Sequence, residues 1–255
     1  MRILKSLAIA FSVYSAIPVP QFAWEEKDMK YMLCFFPWIG AVIGILFYLW
    51  NALCGGWEVR NLCRIVIGTA IPLIITGGFH VDGFMDTMDA LHSYGTKEKK
   101  LEILKDPHIG AFAVIMLAVY GLLWLGAYSE VVSERFLRIV SGGFFLSRCL
   151  SGIGVVSLLA AKREGMLYQF ADTSHKKIVK WSLYLQGGCC IGFMLWQSLW
   201  AAPVIAAAVV SFIYYAYRSK KEFGGITGDT AGYFVLLCEG SMMLAAAVTE
   251  IGRFP

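Results

Sequence analysis

Apolar residues in this chain gather into blocks long enough to cross a hydrocarbon core of about 30 Å, at roughly 31–53, 62–79, 110–128, 137–160, 180–199, 201–217 and 232–250. Each block predicts a helix of near-bilayer length. The expected fold is all-α, a polytopic transmembrane helical bundle of about seven spans. No extended polar block divides them, so residues 1–255 read as a single integral membrane domain. Only WAAP at 200–203 separates the fifth block from the sixth, which predicts a tight turn or a break in one long helix. The opening MRILKSLAIAFSVYSAIPVP sets basic residues before an apolar run, as a signal peptide does. That run is short and is interrupted by Pro18 and Pro20, which better fits an N-terminal interfacial or re-entrant helix.

Charge orients the bundle. When successive loops are placed on alternate sides, sixteen of the 22 Lys and Arg residues fall on one side and five on the other, with Arg148 inside a span. Basic loops stay cytoplasmic. The expectation is a multi-pass protein of the cytoplasmic (inner) membrane with its N-terminus in the cytoplasm. The polar stretches 80–108, 162–177 and 218–230 then share the cytoplasmic face, where a charged cytosolic substrate meets them. A hydrophobic content of 58% and a mean hydropathy of +0.64 exclude an ordinary soluble domain and make the lipid bilayer the first partner. The net charge of +4, with no basic stripe interleaved with aromatics, gives no support to nucleic-acid binding. Seven cysteines without a C-x-x-C spacing read as reduced membrane residues, not zinc ligands.

Candidate chemistry centres on GGFHVDGFMDTMDALHS at 77–93. Offsets of four and seven place Asp82, Asp86 and Asp89 on one helical face, about a turn apart. Like charges at that spacing repel unless a cation neutralises them, and carboxylate oxygens suit Mg²⁺, which is often held together with substrate phosphates. His80, two residues earlier, is a candidate general base or a hydrogen-bond partner for a phosphate. Lys105 is a candidate phosphate contact, although it also obeys the positive-inside rule. Asp106 is read as a substrate contact or as the cap of a helix that Pro107 starts. In KEFGGITGDTAGYF at 221–234, Gly225, Thr227 and Asp229 form a glycine-rich turn whose amides can cradle phosphate, or else Asp229 is simply an N-cap. Arg148 and Glu239 lie inside spans, where ionisable groups pair with each other or with substrate. Residues 161–177 read as a solvated loop of mixed charge.

The sequences G-G-x-H-x-D-G-x-x-D-x-x-D-A at 77–90, K-D-x-x-I-G at 105–110 and G-G-I-T-G-D-T at 224–230 resemble the cobalamin synthase family, also called adenosylcobinamide-GDP ribazoletransferases. I-P-V-P at 17–20 and F-P-W-I-G at 36–40 extend the resemblance over nearly the whole chain. It implies a Mg²⁺-dependent membrane phosphotransferase that joins adenosylcobinamide-GDP to α-ribazole or α-ribazole 5′-phosphate and releases GMP. It also implies that His80, Asp82, Asp86 and Asp89 carry the catalysis, with the three aspartates on the metal. The chain departs from the family pattern at Pro107 and His108, where many members have Ser-Arg.

Three other readings compete. An aspartate-rich prenyltransferase expects two acidic motifs, and the second here holds only Asp229. A CDP-alcohol phosphotransferase expects D-G-x-x-A-R, where this chain has Asp86 and Thr87 in the last two positions. An ion-coupled transporter expects midplane charges and an inverted repeat, whereas these carboxylates crowd one interface.

Overall fold

The computed structural model describes residues 2–20, 23–162 and 164–253; Arg163, one of the basic residues counted for topology, lies outside them. Two short helices, α1 (Arg2–Tyr14) and α2 (Glu26–Met29), precede α3 (Phe36–Gly56). Next come α4 (Asn61–Thr76), α5 (Phe79–His92), α6 (Lys97–Ile103), α7 (Ala111–Glu130) and α8 (Glu134–Ser157). The chain continues through α9 (Met166–Thr173), α10 (Lys176–Gln197), α11 (Ala202–Phe223) and α12 (Gly228–Ile251). Among the described residues, six helices are long and apolar enough to span a bilayer: α3, α7, α8, α10, α11 with the 3₁₀ turn before it, and α12. The pair α4–α5 passes the same test as a unit but bends by 93°, the geometry of a broken span or of a re-entrant loop where a seventh span is expected. The bend sits at Gly77 and Gly78, with φ of 62° and 80°, a left-handed conformation that glycine adopts without a Cβ penalty.

The bundle is built around α8 and α12, its two most buried spans. Arg148 on α8 and Glu239 on α12 meet at 2.5 Å, and Ser147 Oγ donates to the same carboxylate at 2.9 Å. Arg148 is 1% exposed, and its Nη1 also donates to Phe144 O at 2.8 Å. A buried charge persists only when paired in this way. At the far end of the same helix pair, Glu250 Oε1 accepts the Ser133 N–H at 2.7 Å.

The turn between α10 and α11 is tight, a 3₁₀ segment at Leu199–Ala201, which settles the alternative at 200–203 in favour of two separate helices. The N-terminal helix packs one face onto the bundle. Ile9 and Ala10 are fully buried in a cluster with Ile153, Phe170, Val179 and Leu183, while Ser6 Oγ donates to Asp28 O at 2.6 Å. Residues 161–177 are likewise not a solvated loop throughout, because α9 folds there and buries Phe170.

Candidate active site

Two helix starts meet at the centre of the site. The first turn of α5 carries Asp82 and the first turn of α12 carries Asp229, and the helices touch backbone to backbone between them. A Cβ on Gly83 would stand 2.7 Å from Asp229 O and 2.9 Å from Asp229 Cα, so only glycine permits this approach. Phe84 completes the seat, with its ring 5.3 Å from Tyr120 of α7 and 5.8 Å from Tyr233 of α12. Both carboxylates gain from the positive ends of their helices.

Asp82 and Asp229 face a cavity of about 450 Å³ that also receives His80, Lys105, Lys162 and Thr227. Tyr14, Phe36 and Phe170 give it an apolar wall. Lys162 is there because its loop pairs with the turn before α12: the Ala161 N–H donates to Ile226 O at 2.9 Å and the Ile226 N–H to Leu159 O at 2.8 Å. Gly225 lies in this pairing, directly against the backbone of residues 159–161. The sequence alone reads Lys162 as part of a solvated loop, because only this backbone pairing brings it to the site.

The predicted residues divide by position. Asp86 is one turn beyond Asp82, within electrostatic range of Asp82, Asp229 and Asp89, but it does not line the cavity. Asp89 has a structural partner, since its carboxylate accepts the Gly110 N–H at 2.7 Å and the Ala113 N–H at 2.8 Å and so caps α7. That is the capping role expected of Asp106, and it corrects that expectation. Asp106 instead accepts the backbone N–H of His108 at 3.0 Å and its Nδ1 at 2.6 Å. The backbone hydrogen bond from His108 holds the Asp106 carboxyl below its usual range. The helix starts at Ala111, not at Pro107. Asp229 is not an N-cap either: Thr227 fills that place in a reciprocal box with Thr230, which leaves the Asp229 carboxylate for the cavity.

Lys105 stands at the rim, 3.0 Å from Glu164, and the hydrogen bond to that carboxylate raises its pKa above the ordinary lysine value. Arg148, read from sequence as a substrate contact, belongs to the inner pair with Glu239 and does not line the cavity that holds Asp82. His80 is 3% exposed, stacks on Phe36 at 5.8 Å and has no hydrogen-bond partner within the protein on either ring nitrogen. It lines both the main cavity and a smaller one of about 110 Å³ shared with Arg148 and Glu239.

The anionic donors around Asp82 are carboxylate oxygens, those of Asp86 and Asp229, which suit a hard divalent ion. Among the described residues, no three His, Cys, Asp or Glu side chains are gathered closely enough to hold an ion alone. Mg²⁺ tolerates that arrangement, because it keeps several waters and takes one or two carboxylates together with substrate phosphates. The residues present fit such a site.

A family model described as cobalamin-5-phosphate synthase matches residues 6–247. An adenosylcobinamide-GDP ribazoletransferase of Lachnoclostridium phytofermentans is 43% identical over 98% of this chain and 96% of its own length. Enzymes of the same description from Clostridium perfringens and Alkaliphilus oremlandii are 32% and 31% identical, over 96% and 95% of this chain and 98% and 97% of their own lengths. No solved structure matches. A match of this extent places the chain in the cobalamin-5-phosphate synthase family.

Proposed function

We propose that this protein is an adenosylcobinamide-GDP ribazoletransferase that transfers the adenosylcobinamide phosphate group to α-ribazole or its 5′-phosphate, with GMP as the leaving product. The carrying observation is the meeting of Asp82 and Asp229 in a cavity rimmed by Lys105 and Lys162, in a chain of this family. A ribazole hydroxyl oxygen forms a bond to the cobinamide-side phosphorus as the bond from that phosphorus to the bridging oxygen breaks and GMP departs. Lys105 and Lys162 draw the diphosphate in, and the Asp82 and Asp229 carboxylates orient it. His80 and the carboxylates are the acceptors at hand for the hydroxyl proton.

Mg²⁺ is the proposed cofactor, with Asp82 and Asp229 as its protein ligands beside substrate phosphates and water; Asp86 adds negative charge behind them, and Asp89 steadies the row from the capped end of α7. Bound there, the ion would supply positive charge against the developing charge on the diphosphate. The site faces the cytoplasm of a cell whose inner membrane holds the protein with its N-terminus inside, a reading supported by the excess of basic residues on that side.

The test is release of GMP from adenosylcobinamide-GDP and α-ribazole by the purified, detergent-solubilised protein, with and without Mg²⁺, beside Asp82→Asn. Metal-dependent release that the substitution abolishes is the expected result. A folded protein that turns over neither substrate overturns the proposal.

A further inference from the structure

A cavity larger than the catalytic one lies elsewhere. A groove of about 1450 Å³ lies over the first half of α8, walled by α3 and α10. It exceeds the about 300–1,000 Å³ of an ordinary small-molecule pocket. From α8 it takes Glu134, Arg138, Ser141, Gly142 and Phe145, one stripe of one helical face. The other end of α8 supplies Ser151 and Val155 to the catalytic cavity, so the two openings lie toward opposite ends of the bundle.

Length selects the occupant. The groove follows α8 from Glu134 to Phe145, α3 from Trp38 to Leu49 and α10 from Leu185 to Gln197. At 1.5 Å per residue each wall runs about 16–18 Å, near half of the about 30 Å hydrocarbon core. A helix from a second copy crosses both leaflets and asks for a groove twice as long. An acyl chain occupies one leaflet and matches this one.

Chemistry changes along the groove in the same sense. Trp38, Ile45, Phe145, Leu185 and Phe193 line the inner part, whereas Arg135, Arg138, Arg253 and Gln197 gather at the mouth. Arg138 is paired with Glu134. Among the described residues Arg135 has no ion pair, and Arg253 rests its guanidinium on Phe136 and Trp200, each at 5.6 Å, without a carboxylate. Glu250, the other acid at the mouth, is 3% exposed; its Oε1 accepts the Ser133 N–H and its Oε2 is buried without a hydrogen-bond partner. The mouth thus offers guanidiniums to an anion, and their planar fork matches phosphate oxygens.

We propose that this groove is a binding site for one anionic phospholipid, with its phosphodiester on Arg135, Arg138 and Arg253 and its acyl chains along α8, in the leaflet opposite the catalytic cavity. The proposal does not depend on the reaction assigned above.

Native mass spectrometry and thermal unfolding of the protein in phosphatidylcholine nanodiscs, with and without added phosphatidylglycerol, test it. Phosphatidylglycerol is expected to stay bound to the released protein and to raise the unfolding temperature. The double variant Arg135→Gln, Arg253→Gln, which leaves GMP release in detergent unchanged, is expected to weaken retention by about tenfold or more. Ala41→Phe, which fills the groove, is expected to exclude the lipid. Retention that ignores the arginine substitutions would mark annular lipid only and overturn the proposal. A dimer dissociated by Ala41→Phe would overturn it in favour of a second copy.

Discussion

Gly83→Ala isolates the contact on which the site depends. The new methyl carbon would lie 2.7 Å from Asp229 O, 2.9 Å from its Cα and 3.2 Å from its C. Carbon atoms are at ease from about 3.5 Å, and all three neighbours are backbone in the capped first turn of α12, where no rotamer change relieves them. Helix α5 must therefore withdraw from α12 by on the order of 0.5–1 Å. The effects on stability oppose each other: alanine is preferred over glycine in a helix by about 0.8–1 kcal/mol, against an overpacking cost of about 1–3 kcal/mol. The net loss is small, about 0–2 kcal/mol. The effect on turnover is not offset, because the displacement separates Asp82 from Asp229, and a misplacement of about 1 Å costs roughly a hundredfold in rate. GMP release and thermal unfolding measured on the same preparation read the two effects separately. Gly126→Ala in α7, where a Cβ meets nothing within 4 Å, is the matched control and should leave both unchanged. A Gly83→Ala protein that turns over near the unsubstituted rate would refute the claim that this backbone contact sets the active geometry.

Asp89→Ala removes the cap of α7 and should lower stability by about 0.5–2 kcal/mol, measured by thermal unfolding. Its loss of turnover should be smaller than that of Asp229→Asn, and the reverse order would return Asp89 to the metal. Glu239→Ala strands the Arg148 guanidinium and should destabilise the fold by about 3–5 kcal/mol. The double change Arg148→Met, Glu239→Leu should recover most of that, as read from unfolding in detergent. Lys105→Ala, at an exposed rim position, should raise the KM for adenosylcobinamide-GDP while leaving the unfolding temperature unchanged. Removing divalent ions with a chelator should abolish GMP release, and added Mg²⁺ should restore it in the parent protein but not in Asp82→Asn.

Much of this could be read in the chain itself. Long apolar blocks announce spans because backbone polar groups in lipid must be satisfied within a helix, and Arg148 and Glu239 announce each other because neither is tolerable alone in that medium. The helical offsets of Asp82, Asp86 and Asp89 are local and survived intact in α5. What was hidden depends on parts distant in sequence. Asp89 caps a helix that starts 22 residues further on, and no spacing rule distinguishes that from metal binding. Asp229 reads as a cap until Thr227 is seen to occupy that place. Lys162 reaches the site only through a backbone pairing of 159–161 with 226, two stretches with no shared pattern.

The docking of α5 on α12 also bears on how the protein is made. A chain enters the bilayer from its N-terminus, and α5, short and acidic, has no apolar length of its own to hold it there. Its seat is provided by Tyr233, Asp229 and their neighbours on the last described helix. During synthesis the acidic row therefore waits, through the insertion of α7, α8, α10 and α11, for a partner that the ribosome supplies only after them. Quality control that samples the nascent protein before α12 arrives meets a bundle with its most polar helix undocked, so chains truncated before residue 228 are expected to be degraded and not merely inactive.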